Sequence, residues 1–269
     1  MIQEIILSVR PDVKLSFFWG TNAIFMKNDR VSRLLKSQHG LLCPSYDSTD
    51  RFSSNQKRIW FENIRYFIEN DILSSISIML IKPCIEKYIC GDEYFNKIDK
   101  NIWIDVNQYV PNLNYQEYLP SDDDIYNFYK WCIDTGHFNV SSVGELFSEK
   151  RTPCNPLTEF LFFPNLPDQQ EWMYLCNMCA PFSKEEYYGE YRKCMCANCP
   201  DEIDAARSHK RGCLQCEYNG NCVKMCTLPY MFSKYKMNDI CPIFQILKYI
   251  ESDDSIIKRY YSWKEEFDR

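Results

Sequence analysis

The cysteine spacing in the second half of the chain is the feature that most restricts its fold. Ten of the fifteen cysteines lie between Cys176 and Cys241, and seven of them, with one glycine, follow the pattern C-x9-G-x4-C, gap, C-x2-C-x5-C-x3-C, gap, C. The patterned residues are Cys179, Gly189, Cys194, Cys213, Cys216, Cys222, Cys226 and Cys241. A 4Fe-4S cluster takes four thiolate ligands, and Cys176 offers an eighth thiol. The pattern therefore predicts two such clusters.

Zinc and disulfides are the alternatives to iron–sulfur clusters. Three C-x2-C pairs of the kind that bind tetrahedral zinc occur at Cys176/Cys179, Cys196/Cys199 and Cys213/Cys216. A zinc-stabilised binding module is therefore an alternative to the iron–sulfur clusters. Disulfides are disfavoured because residues 1–7 lack the charged start and apolar core of a secretory signal. We expect a cytoplasmic protein with reduced thiols.

The composition narrows the range of partners. The formal net charge of −6 argues against nucleic-acid binding. No apolar run approaches the roughly 20 residues of a membrane span, so we expect no transmembrane segment. With 45% hydrophobic residues the chain has enough apolar side chains for a core. The partner that we expect is a peptide or protein.

Strands and helices alternate in the first half of the chain. Apolar runs at 14–20, 40–44 and 75–81 predict buried parallel strands, and Ile102–Val106 alternates like a further strand. A short helix is expected near residues 31–35, at Val31, Leu34 and Leu35. Strand–helix–strand order implies right-handed crossovers and a parallel sheet.

Several longer helices are predicted from their apolar periodicity. One begins at a cap residue, Asn55, and buries Trp60, Ile64, Phe67 and Ile68. Another opens at Asp122-Asp123-Asp124, read as a solvated helix start, and buries Ile125, Phe128, Trp131 and Cys132. Two more follow Cys241, with apolar positions at Ile243, Ile246, Leu247 and Ile250, and then at Ile256, Ile257, Tyr260, Tyr261 and Trp263.

Five cysteines lie outside the patterned region and have no ligand spacing. They are Cys43, Cys84, Cys90, Cys132 and Cys154. Cysteine without a metal or disulfide partner behaves as a small apolar residue. We therefore expect these five side chains to be buried.

The cysteine pattern resembles the SPASM domain, the module that follows the barrel of many radical S-adenosylmethionine (SAM) enzymes that modify peptides. The family pattern is C-x(9–15)-G-x4-C, gap, C-x2-C-x5-C-x3-C, gap, C, and every interval is met here. The resemblance implies one 4Fe-4S cluster on Cys176, Cys179, Cys194 and Cys226. It implies a second cluster on Cys213, Cys216, Cys222 and Cys241. The alternatives to Cys176 as the eighth ligand are Cys154, Cys196 and Cys199.

Two short segments resemble the barrel of the same enzymes. Thr21-Asn22-Ala23 is similar to a Thr-Asn-Gly segment that ends one barrel strand, and Ser45-Tyr46-Asp47-Ser48 is similar to a Ser-Leu-Asp-Gly segment that ends the next. In both, another residue stands in place of glycine. The resemblance implies that Ser45 contacts the ribose of bound SAM. From the residues alone, its hydroxyl is as well suited to capping a turn.

Radical SAM chemistry requires a C-x3-C-x2-C loop, which these 269 residues do not contain. The resemblance therefore implies an α/β fold: a partial, incomplete TIM-type β/α barrel over residues 1–150, with an open edge at its first strand. A mostly irregular and helical SPASM-like iron–sulfur module with C-terminal helices would occupy residues 151–269. SAM would bind only where a missing N-terminal half completes the site. No catalytic residue is assigned, and Met195 stands where sulfatase-maturing relatives carry an aspartate.

Two functions from different classes are consistent with this pattern. The chain is either the C-terminal part of a radical SAM peptide or protein maturase, truncated or split from an N-terminal half, or a non-catalytic iron–sulfur protein. The second kind of protein would bind a peptide or relay electrons for a partner enzyme.

This chain alone is expected not to cleave SAM. Cleavage needs an iron with an open coordination position, and the eight cysteines would saturate both clusters. Anaerobic incubation of the reconstituted protein with SAM and dithionite should yield no 5′-deoxyadenosine above a cluster-free control. Sustained production would mean that other residues build the catalytic site.

Overall fold

A computed structural model describes the chain over residues 17–24, 29–37, 40–49, 52–108, 116–147, 161–162, 173–174, 215–218, 222 and 236–268. The chain divides into two compact units. One comprises Met1–Met79 with Gly91–Asn107, and the other Leu80–Cys90 with Gln108–Arg269. The boundary predicted between residues 150 and 151 falls outside the described ranges and stays a prediction.

A parallel four-stranded sheet organises the first unit. Its strands are β1 (Phe17–Thr21), β2 (Gly40–Tyr46), β3 (Ile76–Leu80) and β4 (Ile104–Gln108). Their order in the sheet, β1-β2-β3-β4, follows the chain. The helices between the first three strands are α1 (Asp29–Ser37) and α2 (Ser54–Glu69). The predicted α/β class and parallel sheet are confirmed.

The described part of the sheet is open. β1 pairs with β2 from Phe17↔Gly40 to Thr21↔Pro44, and β2 pairs with β3 at Ser45↔Ser77. β1 and β4 therefore lie at opposite edges of the described strands, which do not close into a barrel. The predicted incomplete barrel is confirmed for these residues.

The central strand β2 has one buried face and one half-exposed face. Leu42 and Tyr46 are buried, whereas Cys43 and Ser45 are half-buried. Successive side chains of a strand point to opposite faces, which produces this alternation. β3 shows a similar alternation. The sheet therefore has an apolar face and a second face that is available for polar groups.

Helix α2 contacts the buried face of β2. Trp60, Ile64 and Phe67 are buried on one side of the helix, as predicted. The ring centroids of Trp60 and Tyr46 lie 4.8 Å apart, and the Trp60 Nε1–H donates to the Ser45 carbonyl at 3.0 Å. The large apolar ring is thus buried while its single polar group has a partner.

Helix α2 differs from the sequence expectation at two positions. Its N-cap is Ser53, and not Asn55: the Ser53 Oγ accepts from the Gln56 amide at 3.3 Å, and the Gln56 side chain accepts from the Ser53 amide at 2.9 Å. This reciprocal capping box satisfies two amides, which Asn55 inside the first turn cannot do. Ile68 is 43% exposed because it lies roughly 70° around the helix from the buried side. The helix ends at Asn70, as predicted.

Replacing the observed cap should destabilise the fold. We expect Ser53→Ala to lower the free energy of unfolding by about 1 kcal/mol, because the Gln56 amide loses its acceptor. Urea unfolding followed by circular dichroism measures the change. The matched control is Ser54→Ala, an exposed position at the start of the helix. An equal loss in both variants would contradict the assigned cap.

The second unit is mainly helical in its described part. Its elements are α3 (Lys82–Ile89), α4 (Asp122–Thr135), α5 (Ser141–Leu146), β5 (Leu161–Phe162), β6 (Met173–Tyr174), α6 (Pro242–Glu251) and α7 (Asp254–Phe267). The predicted apolar face of α6 is buried, at Ile243, Ile246, Leu247 and Ile250. Among the described residues, no helix has the length and apolar character needed to cross a membrane.

Two helices of this unit depart from expectation. Asp122, predicted to be solvated, is completely buried at the start of α4, because it accepts a hydrogen bond from a distant backbone amide. Trp131 in α4 is half-buried, with its ring stacked on His137 at 5.0 Å. In α7, Ile256 and Tyr260 are buried, but Tyr261 is 51% exposed because it projects from the adjacent position on the helix.

The cysteines without ligand spacing fall into two groups. Cys84 and Cys132 are fully buried, as predicted. Cys90 is exposed because it caps the end of α3, where the chain leaves the helix. Cys43 is half-buried and hydrogen-bonded, so it is not simply an apolar residue. Cys154 lies outside the described residues.

Candidate functional site

The half-exposed face of the sheet carries polar side chains from β2, β3 and β4 and from Ser75, just before β3. Two of them, Ser45 and Asn107, lie next to the carboxyl ends of their strands. The polar side chains form two rows across the sheet. The Asp105 row consists of Cys43, Ser75 and Asp105, and the Asn107 row, one step nearer the strand ends, consists of Ser45, Ser77 and Asn107. In parallel α/β sheets the carboxyl ends of the strands are where ligands bind. We call this set of six residues the polar face.

The Asp105 row is a chain of hydrogen bonds. The Ser75 hydroxyl donates to Asp105 Oδ2 at 2.5 Å, and the Cys43 Sγ lies 3.3 Å from the Ser75 Oγ. A serine hydroxyl has a single hydrogen, which here goes to the carboxylate. The Cys43 thiol must therefore donate to the serine oxygen. This direction requires the thiol to be protonated.

The electrostatic environment keeps the Cys43 thiol neutral. Burial raises its pKa above the ordinary 9.0, the hydrogen bond with Ser75 opposes this in part, and the negative charge of Asp105 raises the pKa further. The reactive form of cysteine is the thiolate, which is scarce at neutral pH under these conditions. Cys43 thus acts as a hydrogen-bond donor and not as a nucleophile.

The Asn107 row contains the predicted SAM-contacting residue. Ser45 lies in β2 and pairs in register with Ser77, and its hydroxyl donates to the Thr21 carbonyl at 3.3 Å. The Asn107 side-chain amide donates to the Ser77 Oγ at 2.6 Å. Ser45 is half-buried, and its hydroxyl oxygen retains acceptor capacity.

The turn after β2 is capped by an aspartate. Ser45 and Tyr46 both belong to strand β2, and the turn follows them. The Asp47 Oδ1 accepts from the Thr49 amide at 2.8 Å, an Asx turn. The turn-capping alternative for Ser45 is therefore wrong, because the turn begins two residues later. A contact between Ser45 and ribose stays a prediction.

The turn after β1 keeps a glycine-like conformation without glycine. Ala23 has φ of 53°, in the left-handed region, and is fully buried. Its amide donates to the Thr21 Oγ1 at 3.1 Å, and its carbonyl accepts from the Asn63 side chain at 2.8 Å. A non-glycine residue there is strained by about 1–2 kcal/mol, which these contacts must offset. Ala23 thus adopts at the end of β1 the left-handed conformation that a glycine would adopt there.

The polar face is open beside β1. Gly20 pairs in register with Cys43, so both positions belong to the same face of the sheet. Gly20 is exposed, and a Cβ atom added there would meet no atom within 4 Å. A side chain at this position would therefore start on the face that carries Cys43, with free space at its Cβ.

Five members of the polar face were not identified from the sequence as site residues. One is Cys43, which was expected to be a buried apolar residue, and the other four are Ser75, Ser77, Asp105 and Asn107. The signal was present in Ser75-Ile76-Ser77-Ile78 and in Ile104-Asp105-Val106-Asn107, where polar and apolar residues alternate. Alternation shows that two residues share a face, but it does not show which faces of separate strands meet.

Three of the eight predicted cluster ligands lie in the described part of the second unit. Cys216, Cys222 and Cys241 are all half-buried. The other five lie outside it, as do the alternative eighth ligands. Those outside are Cys176, Cys179, Cys194, Cys213 and Cys226, and Cys154, Cys196 and Cys199. Their grouping into two clusters stays a prediction.

Cys216 and Cys241 are both attached to α6. Cys241 is the N-cap of that helix, but its sulfur takes no part in capping because the side chain makes no capping hydrogen bond. Two residues after Cys216, the ring of Tyr218 contacts the ring of Phe244 edge to face, with centroids 5.7 Å apart. That both thiols serve the same cluster stays a prediction. Within the described residues, no three Cys, His, Asp or Glu side chains are grouped to hold a metal ion.

The fold of the chain is similar to that of a radical SAM/SPASM enzyme of known structure. Two solved structures show the similarity, both of anSMEcpe, an anaerobic sulfatase-maturating radical SAM/SPASM enzyme. Native anSMEcpe with bound AdoMet and Kp18Cys peptide is 12% identical, with a TM-score of 0.59. Native anSMEcpe with bound AdoMet and Cp18Cys peptide is 11% identical, with a TM-score of 0.57. Each match covers 97% of this chain and 81% of the other.

At that level of identity the similarity establishes the fold alone. No protein-family model matches the sequence. No curated protein matches it either. The activity of this chain must therefore be argued from its own residues.

Removing the charge of Asp105 should make Cys43 more reactive. We expect Asp105→Asn to lower the pKa of the thiol, because the carboxylate raises it, while the amide oxygen can still accept from Ser75. Because the folded chain binds the Cys43 thiol proton more tightly than the unfolded chain does, the free energy of unfolding falls as the pH rises above 9.0. Iodoacetamide labelling across pH 7–11, read by peptide mass spectrometry, measures the change.

Exposed Cys90 is the internal reference for that labelling, because its alkylation in the same sample should be the same in both proteins. An unchanged pH profile at Cys43 would mean that Asp105 does not act on the thiol.

Proposed function

We propose that this chain is the SPASM-bearing part of a radical SAM peptide- or protein-modifying enzyme, with two 4Fe-4S clusters in its cysteine-rich module. The polar face of β2, β3 and β4, with Ser45 and Asn107 next to the carboxyl ends of their strands, carries this proposal. It occurs on a fold similar to that of a protein solved with AdoMet and a peptide. The cysteine spacing gives separate support.

The polar face suits a ligand that donates hydrogen bonds. Ser45 and Ser77 contribute hydroxyl oxygens, and Asp105 contributes a half-buried carboxylate. Cys43 is protonated and adds no charge. Ribose hydroxyls, an ammonium group and peptide amides all donate to such oxygens. Binding and orienting SAM and the peptide is therefore the role that we assign to this face, with Ser45 at the ribose.

The cysteine-rich module is assigned the iron–sulfur clusters. When bound, 4Fe-4S clusters transfer single electrons. Among the described residues, Cys216, Cys222 and Cys241 would hold one cluster, together with Cys213 from the cysteine pattern. The open-iron cluster that cleaves SAM would be supplied from outside these 269 residues, because they contain no C-x3-C-x2-C loop.

The absence of a C-x3-C-x2-C loop from these residues also supports a second candidate function. A non-catalytic iron–sulfur protein would use the polar face to bind a peptide, or would relay electrons to a partner enzyme. The three C-x2-C pairs leave a zinc-stabilised module as a third candidate. Iron, sulfide and zinc analysis of anaerobically purified protein separates the zinc form from the other two.

A large side chain at position 20, beside the polar face, should weaken ligand binding without unfolding the protein. We expect Gly20→Leu to weaken at least tenfold the binding of SAM to this chain reconstituted together with the N-terminal half that completes the site, because the new side chain starts on the face that carries Cys43 and its Cβ meets no neighbour. Equilibrium dialysis with labelled SAM under anaerobic conditions measures the affinity. Thermal unfolding shows whether the variant is folded.

The control is Asn101→Leu, which adds the same side chain at an exposed position before β4. Its affinity for SAM should equal that of the unmodified protein. If Gly20→Leu binds SAM as tightly as the control does, the polar face is not the SAM site. If the protein takes up zinc and no iron or sulfide, the iron–sulfur assignment is wrong.

A further inference from the structure

Three hydrogen bonds attach the segment before Cys241 to the start of α4. The Asp122 amide donates to the Lys236 carbonyl at 3.1 Å, and the Asn238 amide donates to Asp122 Oδ2 at 2.7 Å. The Asn238 side-chain amide donates to Asp123 Oδ1, also at 2.7 Å. More than one hundred residues separate the two segments in sequence, so this contact is purely tertiary.

Hydrogen bonding, and not apolar burial, holds this segment. Its two large apolar residues, Met237 and Ile240, are 49% and 52% exposed. Asp122, in contrast, is fully buried. A buried carboxylate is costly unless it is hydrogen-bonded, and its place in the first turn of α4 adds the favourable end of the helix dipole. The Asp122 carboxylate is therefore the main anchor of the segment.

The chain after Cys241 is fixed to the same helix. Cys241 caps α6, and the Tyr249 hydroxyl of α6 donates to Asp134 of α4. The Lys130 ammonium of α4 lies 4.6 Å from the centre of the Tyr249 ring. Helix α4 thus holds the chain on both sides of Cys241: through Asp122 before it and through α6 after it.

We propose that Asp122 is a positioning residue for the iron–sulfur module, fixing Cys241 in place before metal binds. This inference rests on the proposed function. The carboxylate acts through the backbone of Asn238 and does not touch the metal. A ligand that is already ordered loses less conformational entropy on binding. The Cys216 segment contacts α6, the helix that begins after Cys241, so a second predicted ligand of the same cluster is held at that helix.

Three variants isolate this role. Asp122→Ala removes the acceptor for the Asn238 amide. Asp122→Asn keeps an oxygen at the same position and should restore the bond. Asp124→Ala removes the capping box with Ser121 and an acidic residue of the same turn, but does not touch the anchored segment. It therefore controls for weakening of α4 itself.

Hydrogen exchange of the metal-free full chain tests the anchor directly. In Asp122→Ala, exchange in a peptide spanning residues 236–241 should be faster by roughly tenfold or more, because losing a buried acceptor exposes the amide. Asp122→Asn and Asp124→Ala should exchange like the unmodified protein. Equal acceleration in Asp122→Ala and Asp124→Ala would overturn the inference, because the aspartate would then act only through the helix start.

Iron release tests the consequence for the cluster. After anaerobic reconstitution, Asp122→Ala should lose iron to a chelator about tenfold faster than the unmodified protein and the two other variants. Equal release rates would overturn the inference and leave the proposed function intact. Failure of the unmodified protein to take up iron and sulfide would overturn both. Protease resistance of each variant confirms that it is folded.

Discussion

The two-residue period of β2 is the constraint on which the first unit depends. It points Tyr46 toward α2, where the ring contacts Trp60, and leaves Cys43 and Ser45 on the opposite face. The backbone of Ser45 links the two sides, because its carbonyl accepts from the Trp60 indole while its side chain belongs to the polar face. A shift of one residue in register would exchange the two faces. The core and the candidate site are therefore fixed by the same pairing.

The polar face differs in composition from the interior of a closed TIM-type barrel. Such an interior is filled by branched apolar side chains. Here the described face has serines, an asparagine, a neutral thiol and one carboxylate. Polar groups in this position are costly unless they are paired or meet a ligand. The hydrogen bonds of the Asp105 row satisfy part of this requirement, and a bound ligand would satisfy more.

The second unit depends on a different kind of constraint. Apolar contacts order α4 and α6, whereas the stretch from Ser183 to Met225 has few apolar residues for its length. If the proposed clusters bind there, ligation would supply folding energy that the apolar residues of this stretch cannot. Attachment of Cys241 to a helical framework would give such a segment a fixed starting point. The helices and the proposed clusters thus have complementary roles.

The sequence determined the order of the four strands, the parallel sheet, most of the buried face of α2, the buried face of α6 and the cysteine pattern, because these follow from short periods and fixed intervals. It did not determine the cap of α2, since Ser53 and Asn55 are both suitable residue types. It also missed the burial of Asp122, whose partner lies more than one hundred residues away.

Only the tertiary structure brought Cys43, Ser75 and Asp105 into one hydrogen-bonded row. Each comes from a different part of the chain, and residues so far apart in sequence become neighbours only when their strands pair. Local sequence encodes the period of a strand, but strand pairing depends on contacts between segments that are distant along the chain.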